Sequence, residues 1–374
     1  MPGVIVSGLL RSTPCADGFR MPGEFEPHTQ IWMLWPQRPD NWRLGAKPAQ
    51  RAWVQVATAI SRFEPVTVGV NHDQFENARA MLPPQVRVVE ISSNDAWMRD
   101  CGPIFVANDA GEVRLVDWDF NAWGGLYDGL YFPWDKDDMV PRKVAEIERV
   151  DRYKAPMVLE GGAITVDGEG TLITTEECLL SPGRNPQLTR EQIEQHLGDY
   201  LGVDKVIWLP RGVDPEETNG HVDGVCFYVS PGVVALSWTD DTGHPLYEVF
   251  KGARDVLESQ TDARGRRFDV RLLPVQVDEI VITEEEAASI DIVEGAKPRP
   301  PGLMGLGTYA NVLICNGGVI VPVCGDPMDE AAVAAIQALF PDREVVTVPG
   351  REIEMSGGNV HCITQQQPRP GKPA

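Results

Sequence analysis

Five times along this chain the same arrangement returns. An amphipathic helical stretch leads to a short β-branched strand, and the strand opens into a polar, glycine-containing loop. The first copy runs from Asp73–Leu82 through Val86–Ile91 into Trp97–Pro103. The second runs from Arg142–Val150 through Met157–Leu159 into Glu160–Gly162. The third runs from Thr189–Leu201 through Val206–Leu209 into Thr218–Asp223. The fourth runs from Leu246–Gln260 through Val270–Val275 and reaches Gly305–Tyr309 after a long insertion that holds Pro298–Pro301. The fifth runs from Asp329–Phe340 through Val345–Val348 into Gly357–Cys362. Most loops are followed by two apolar runs around a tight turn: Ile164–Val166 with Thr171–Thr174, Phe227–Val229 with Val233–Trp238, and Val312–Cys315 with Val319–Val323. The last carries the hairpin pair Asn316-Gly317. Each unit therefore reads as strand–strand–helix–strand. This is an α/β chain in which pseudosymmetry would bring equivalent loops to one face; the plainer alternative is an ordinary mixed α/β sheet. No low-complexity linker divides the 374 residues, so a single domain is expected. Its core spans about 21–367, and residues 1–20 and 368–374 are peripheral. The stretch Gln365–Ala374, rich in Gln and Pro, reads as disordered.

Charge narrows the function. There are 55 Asp and Glu against 33 Lys and Arg, a net charge of -22. Such a surface repels phosphate backbones and anionic lipid, which argues against nucleic-acid and membrane partners. It also concentrates small cations, although solubility alone would account for it. Seven cysteines, an odd number without a CxxC pair or zinc-type spacing, fit reduced thiols in a cytoplasmic protein. The apolar run Val4–Leu10 lacks a basic lead and stops at Arg11, so it is not read as a signal peptide. No stretch has the length to span a bilayer.

The polar loops hold the residues capable of chemistry. Cys362 follows Ser356-Gly357-Gly358-Asn359-Val360-His361, where two glycines let the backbone approach a ligand closely. Its neighbour His361 would point to the opposite face of an extended segment, which suits a supporting role better than proton transfer. In Glu217-Thr218-Asn219-Gly220-His221-Val222-Asp223, the two-residue spacing puts His221 and Asp223 on one side of an extended segment. Asp100 in Trp97-Met98-Arg99-Asp100 could hold a cation whose flat face Trp97 covers. Glu160 sits at the mouth of a strand. Taken singly, these have plain readings too: a buried thiol, a hydrogen-bonded surface histidine, an internal Arg–Asp pair, a simple turn. The aromatic-rich start, Met21–His28 followed by Trp32, Trp35 and Trp42, reads first as core packing.

One thiol, one imidazole and three carboxylates suit a guanidinium substrate. That group is planar, cationic and a poor electrophile; carboxylates can clamp its N–H fork while a thiolate attacks its carbon. At this point the motifs Trp97–Pro103 (WMRDCGP), Phe120–Gly125 (FNAWGG), Leu159–Gly162 (LEGG), Thr218–Asp223 (TNGHVD) and Gly357–Gln366 (GGNVHCITQQ) carry a resemblance. From about Met21 to about Gln367 the chain resembles the agmatine deiminases, within the guanidino-group-modifying family that also holds arginine deiminases and bacterial-type peptidyl-arginine deiminases. The resemblance implies a five-bladed pseudosymmetric α/β propeller of ββαβ units with a central active site. It implies hydrolysis of agmatine to N-carbamoylputrescine and ammonia, a step toward putrescine and polyamines, with no cofactor and no metal. Cys362 would be the nucleophile and His221 the acid/base. Asp100 and Asp223 would hold the guanidinium, Glu160 would help orient it, Trp97 would pack on the substrate, and Glu217 would face the distal amine. A homodimer or larger homo-oligomer is a further expectation from the family.

Three alternatives stand beside this. An arginine or peptidyl-arginine hydrolase would need a pocket cation to meet a carboxylate, so Arg38, Arg184 and Arg351 are the residues to place. A Cys–His protease would need an oxyanion hole and an open cleft. A cation-binding module would not need Cys362 at all.

Overall fold

The computed structural model describes residues 7–214, 216–305 and 307–369. Val4–Val6 of the early apolar run, Leu306 of the fourth loop and the tail beyond Arg369 lie outside the described residues. Five sheets share one plan: an antiparallel strand pair, a helix, and a strand that returns parallel to the second member of the pair. Ile104–Ala107 pairs with Val113–Asp119, helix Val140–Glu148 crosses over, and Arg152–Val158 docks parallel. Leu9–Leu10 extends that sheet at its edge. The same order recurs with Ile164–Val166, Thr171–Thr175, helix Arg190–Leu201 and Lys205–Leu209. It recurs again with Cys226–Ser230, Val233–Trp238, helix Tyr247–Ser259 and Asp269–Pro274. The fourth instance is Leu313–Cys315, Gly318–Val323, helix Asp329–Leu339 and Glu344–Pro349. The remaining sheet joins the two ends of the chain. Thr364–Pro368 lies antiparallel to His28–Leu34, helix Lys47–Ile60 crosses to Val66–Val70, and Arg87–Glu90 adds a fourth strand.

Local chemistry explains these elements. Gly317, at φ +76°, supplies the left-handed turn residue that the hairpin after Cys315 needs. In the Asp167–Gly170 turn the Asp167 carboxylate accepts from the amides of Glu169 and Thr171, both at 2.8 Å. Thr189 and Gln192 form a reciprocal capping box on helix Arg190–Leu201, which stops at the left-handed Gly202. Trp32, Trp35, Trp42 and Trp53 are buried in the largest apolar cluster, as core packing requires.

One sequence expectation fails here. Gln365–Pro368 is a buried strand, not a disordered tail. Its polar composition is tolerated because every glutamine finds partners. Gln365 donates to the Pro103 carbonyl, Arg99 donates to both Gln365 and Gln366, and Gln367 accepts from Trp32 and Gln30.

Candidate active site

The candidate residues lie in the segments between sheets, one after another. Asp100 lies between the end-joining sheet and the next, and Glu160 lies in the following connection. His221 and Asp223 share the third, Asn311 closes the long fourth, and Cys362 sits in the fifth. The contacts knit them together. Asp100 Oδ1 accepts from the Gly162 amide at 3.0 Å, and Asp100 Oδ2 accepts from Trp123 Nε1 at 2.9 Å. His221 Nδ1 stands 3.9 Å from Asp100 Oδ1, and its Nε2 stands 3.9 Å from Glu160 Oε2. Cys362 Sγ lies 3.5 Å from Asp223 Oδ2 and receives the Asn311 side-chain amide at 3.2 Å. His221, Asp223, Asn311, Gly358 and Cys362 line one cavity.

Burial sets the electrostatics. His221 loses solvation, which alone would favour its neutral form. The Asp100 carboxylate beside it, with Cys178 and Glu160, outweighs that and raises its pKa well above the usual histidine range. Burial pushes Asp100 up; the pull of His221 opposes this, the charges on Asp223 and Glu160 reinforce it, and the group titrates at about 6. Burial also raises Glu160, but the Arg184 guanidinium, 2.7 Å from Oε1, holds it below its ordinary value. Asp223 is likewise lowered against burial, chiefly by its hydrogen bond to His361. Burial and then the Asp223 and Asp100 charges drive the Cys362 thiol well above the usual cysteine range. At neutral pH the cavity therefore presents a thiol, an imidazolium and clustered carboxylates. An arriving cation would favour the thiolate.

His361 departs from the expected geometry. The segment around Cys362 is a turn and not extended, so both neighbouring side chains reach the same carboxylate. His361 Nδ1 is 2.8 Å from Asp223 Oδ2, and its other nitrogen is 3.0 Å from Glu24. The ring thus braces Asp223. Glu24, held down to about 2 despite burial by His361 and Arg99, anchors it from behind. His221 and Asp223 do face one cavity, yet they do so on a turn that carries the isolated Val213–His221 bridge.

Trp97 lines a second cavity with Asp40, Asp95 and Trp123, and its ring is tilted 5.2 Å from Trp42. Glu217 stands between the two cavities, 2.8 Å from Arg299. Of the three arginines to be placed, Arg184 is spent on Glu160 and on the carbonyls of Trp123 and Thr218. Arg38 pairs with Asp40 in the second cavity, and Arg351 pairs with Glu286. Arg299, which sequence reasoning passed over, borders both cavities. Its nitrogens serve Asn41, Met355, Ser356 and Glu217. Asn311 was also missed, although its place in the fourth connection was the available signal.

The model of the Porphyromonas-type peptidyl-arginine deiminase family matches residues 20–368. The agmatine deiminase of Pseudomonas syringae pv. syringae is 59% identical over 365 residues, covering 97% of this chain and 99% of that one. The agmatine deiminase of Pseudomonas aeruginosa is 58% identical over 363 residues, covering 96% and 98%. Among solved structures, the agmatine deiminase of Enterococcus faecalis superposes with a TM-score of 0.96 at 54% identity, covering 97% of this chain and all of that one. The chain belongs to the Porphyromonas-type peptidyl-arginine deiminase family, in the branch that holds the agmatine deiminases.

Proposed function

We propose that this chain is an agmatine deiminase that converts agmatine and water to N-carbamoylputrescine and ammonia. The observation that carries this is one cavity holding a thiol, an imidazole and a carboxylate, with two more buried carboxylates against the imidazole. Asp100 and Asp223 grip the guanidinium, whose charge favours loss of the Cys362 proton to solvent. Sulfur adds to the guanidinium carbon, and the His221 imidazolium protonates the departing nitrogen, which leaves as ammonia. The product on the enzyme is a cationic amidino-thioether. Neutral His221 then takes a proton from water as the oxygen adds to that carbon. The C–S bond breaks, the hydroxyl proton passes to solvent, and thiolate and ureido product separate. Glu160, fixed by Arg184, orients the imidazole and the substrate.

The distal ammonium of agmatine points outward to Glu217, with Trp97 flanking the path. The arginines bordering the cavities are already occupied by protein acceptors, which favours a substrate without a carboxylate. The five sheets of common plan are arranged as a five-bladed propeller around this centre, in one domain with its core over about 21–367. No helix among the described residues is long and apolar enough to cross a membrane. A cytoplasmic homo-oligomer serving putrescine and polyamine synthesis fits this reading.

Incubation of the reduced protein with agmatine and, separately, with arginine tests it. Ureido product and ammonia form in equal amounts from agmatine and at far lower rate from arginine. No product from agmatine sinks the proposal, and preference for arginine reassigns the substrate.

The backbone at Gly358 supplies a second test. A Cβ there would stand 2.7 Å from the Trp97 ring and 3.0 Å from Cys362 Sγ. Gly358→Ala therefore displaces the thiol and lowers kcat/KM by about 100-fold. Thermal unfolding run in parallel separates this from loss of the fold. An unchanged rate would show that the sulfur does not need its present position.

A further inference from the structure

Cys178 makes and breaks no bond in the reaction described above, yet it lies against its acid/base. Strand Thr171–Thr175 delivers it on the short helix Glu176–Leu179. The Thr175 hydroxyl oxygen accepts from the Cys178 amide at 3.2 Å and donates to the Gly220 carbonyl at 2.6 Å. One threonine thus fixes Cys178 relative to the residue that precedes His221. Ligand atoms of Glu160, Cys178 and His221 all lie within 4.8 Å of one another, and all three residues are buried. Neither ring nitrogen of His221 and neither carboxylate oxygen of Glu160 has a hydrogen-bond partner of proper geometry among the described residues. Arg184 touches Glu160 as an ion pair only.

We propose that Glu160, Cys178 and His221 form an inhibitory zinc site beside the hydrolytic thiol. A thiolate, an imidazole and a carboxylate are the donor set zinc selects, and three protein ligands leave a fourth position for water. The His221 nitrogens and Glu160 Oε2, which Arg184 leaves open, are the atoms such an ion would satisfy. His221 borders the substrate cavity, which gives the ion its route. Binding releases the thiol proton and the imidazolium proton to solvent; no electron is transferred. Arg184 opposes the ion by its charge, but it also fixes the Glu160 carboxylate from one side, as an outer-shell partner does. A metallated His221 can neither protonate the leaving nitrogen nor activate water. The inhibition rests on the deiminase reading; the metal site does not.

Cobalt(II) tests the site on the whole protein, because a thiolate ligand gives it a charge-transfer absorption that zinc(II) abolishes by displacement. The band is expected in the wild type and in Cys362→Ala, and is expected to vanish in both Cys178→Ala and Cys178→Ser. Agmatine turnover in chelator shows that the Cys178 variants are folded. Zinc(II) then inhibits the wild type, and each Cys178 variant loses at least about tenfold in sensitivity, the factor that even an outer-shell partner contributes. A band that survives loss of Cys178 but not of Cys362 would overturn the assignment, as would no band in any protein. Should agmatine not be turned over at all, circular dichroism replaces turnover as the folding control, and the band alone decides the metal site.

Discussion

Replacing Cys362 by alanine is expected to lower agmatine turnover by at least about 10⁴-fold while leaving substrate binding within about tenfold of the wild type. The asymmetry follows from the division of labour. In the proposed mechanism the carboxylates of Asp100 and Asp223 hold the cation, and neither depends on the sulfur for its position. Asp100 is anchored by Gly162 and Trp123, and Asp223 by His361. Binding measured by calorimetry on the inactive variant, beside single-turnover assays, checks both halves. Residual turnover within tenfold of wild type would remove Cys362 from the reaction. A companion signature concerns reactivity. The thiol titrates above the ordinary cysteine range, so alkylation of the free protein is slow at neutral pH and accelerates as pH rises.

Loss of the imidazole is the second large effect. His221→Gln is expected to lower kcat by about 10²–10⁴-fold, the range for a positioned acid/base. It also has a directional consequence elsewhere. The His221 cation holds the Asp100 carboxyl down against burial and two neighbouring carboxylates, and the group titrates at about 6. Without that cation the carboxyl retains its proton to higher pH. The residual activity of His221→Gln should therefore require a more alkaline medium on its acid side than the wild type does, because ionised Asp100 is the form proposed to hold guanidinium. A variant with wild-type kcat, or with its acid limb shifted the other way, contradicts the assignment.

Much of this was legible beforehand because it follows local rules. Helix Arg190–Leu201 shows its capping box and its glycine stop in the primary structure, and Asn316-Gly317 marks its hairpin. The Gln-rich strand Thr364–Pro368 was not legible. Its fate depends on Arg99, Trp32 and Pro103, hundreds of residues upstream, which satisfy the side-chain amides. His361 was misoriented for a related reason: local periodicity assumes an extended chain, whereas Glu24 and Asp223 draw the ring into a turn. Asn311 and Cys178 show the same limit. Neither sits in a motif with its partners, and only the meeting of separate connections brings each to a reacting group.

The sheet that unites Thr364–Pro368 with His28–Leu34 has a consequence for the order in which the protein is made. Ribosomes release the chain from its amino end, so His28–Leu34 emerges long before its strand partner Thr364–Pro368. Until then that strand keeps an open edge, and Cys362 has not yet joined the carboxylates that emerged before it. Partial translation products therefore carry a sticky edge and no hydrolytic centre. Once Thr364–Pro368 has emerged, the same pairing closes the open edge and brings Cys362 toward those carboxylates.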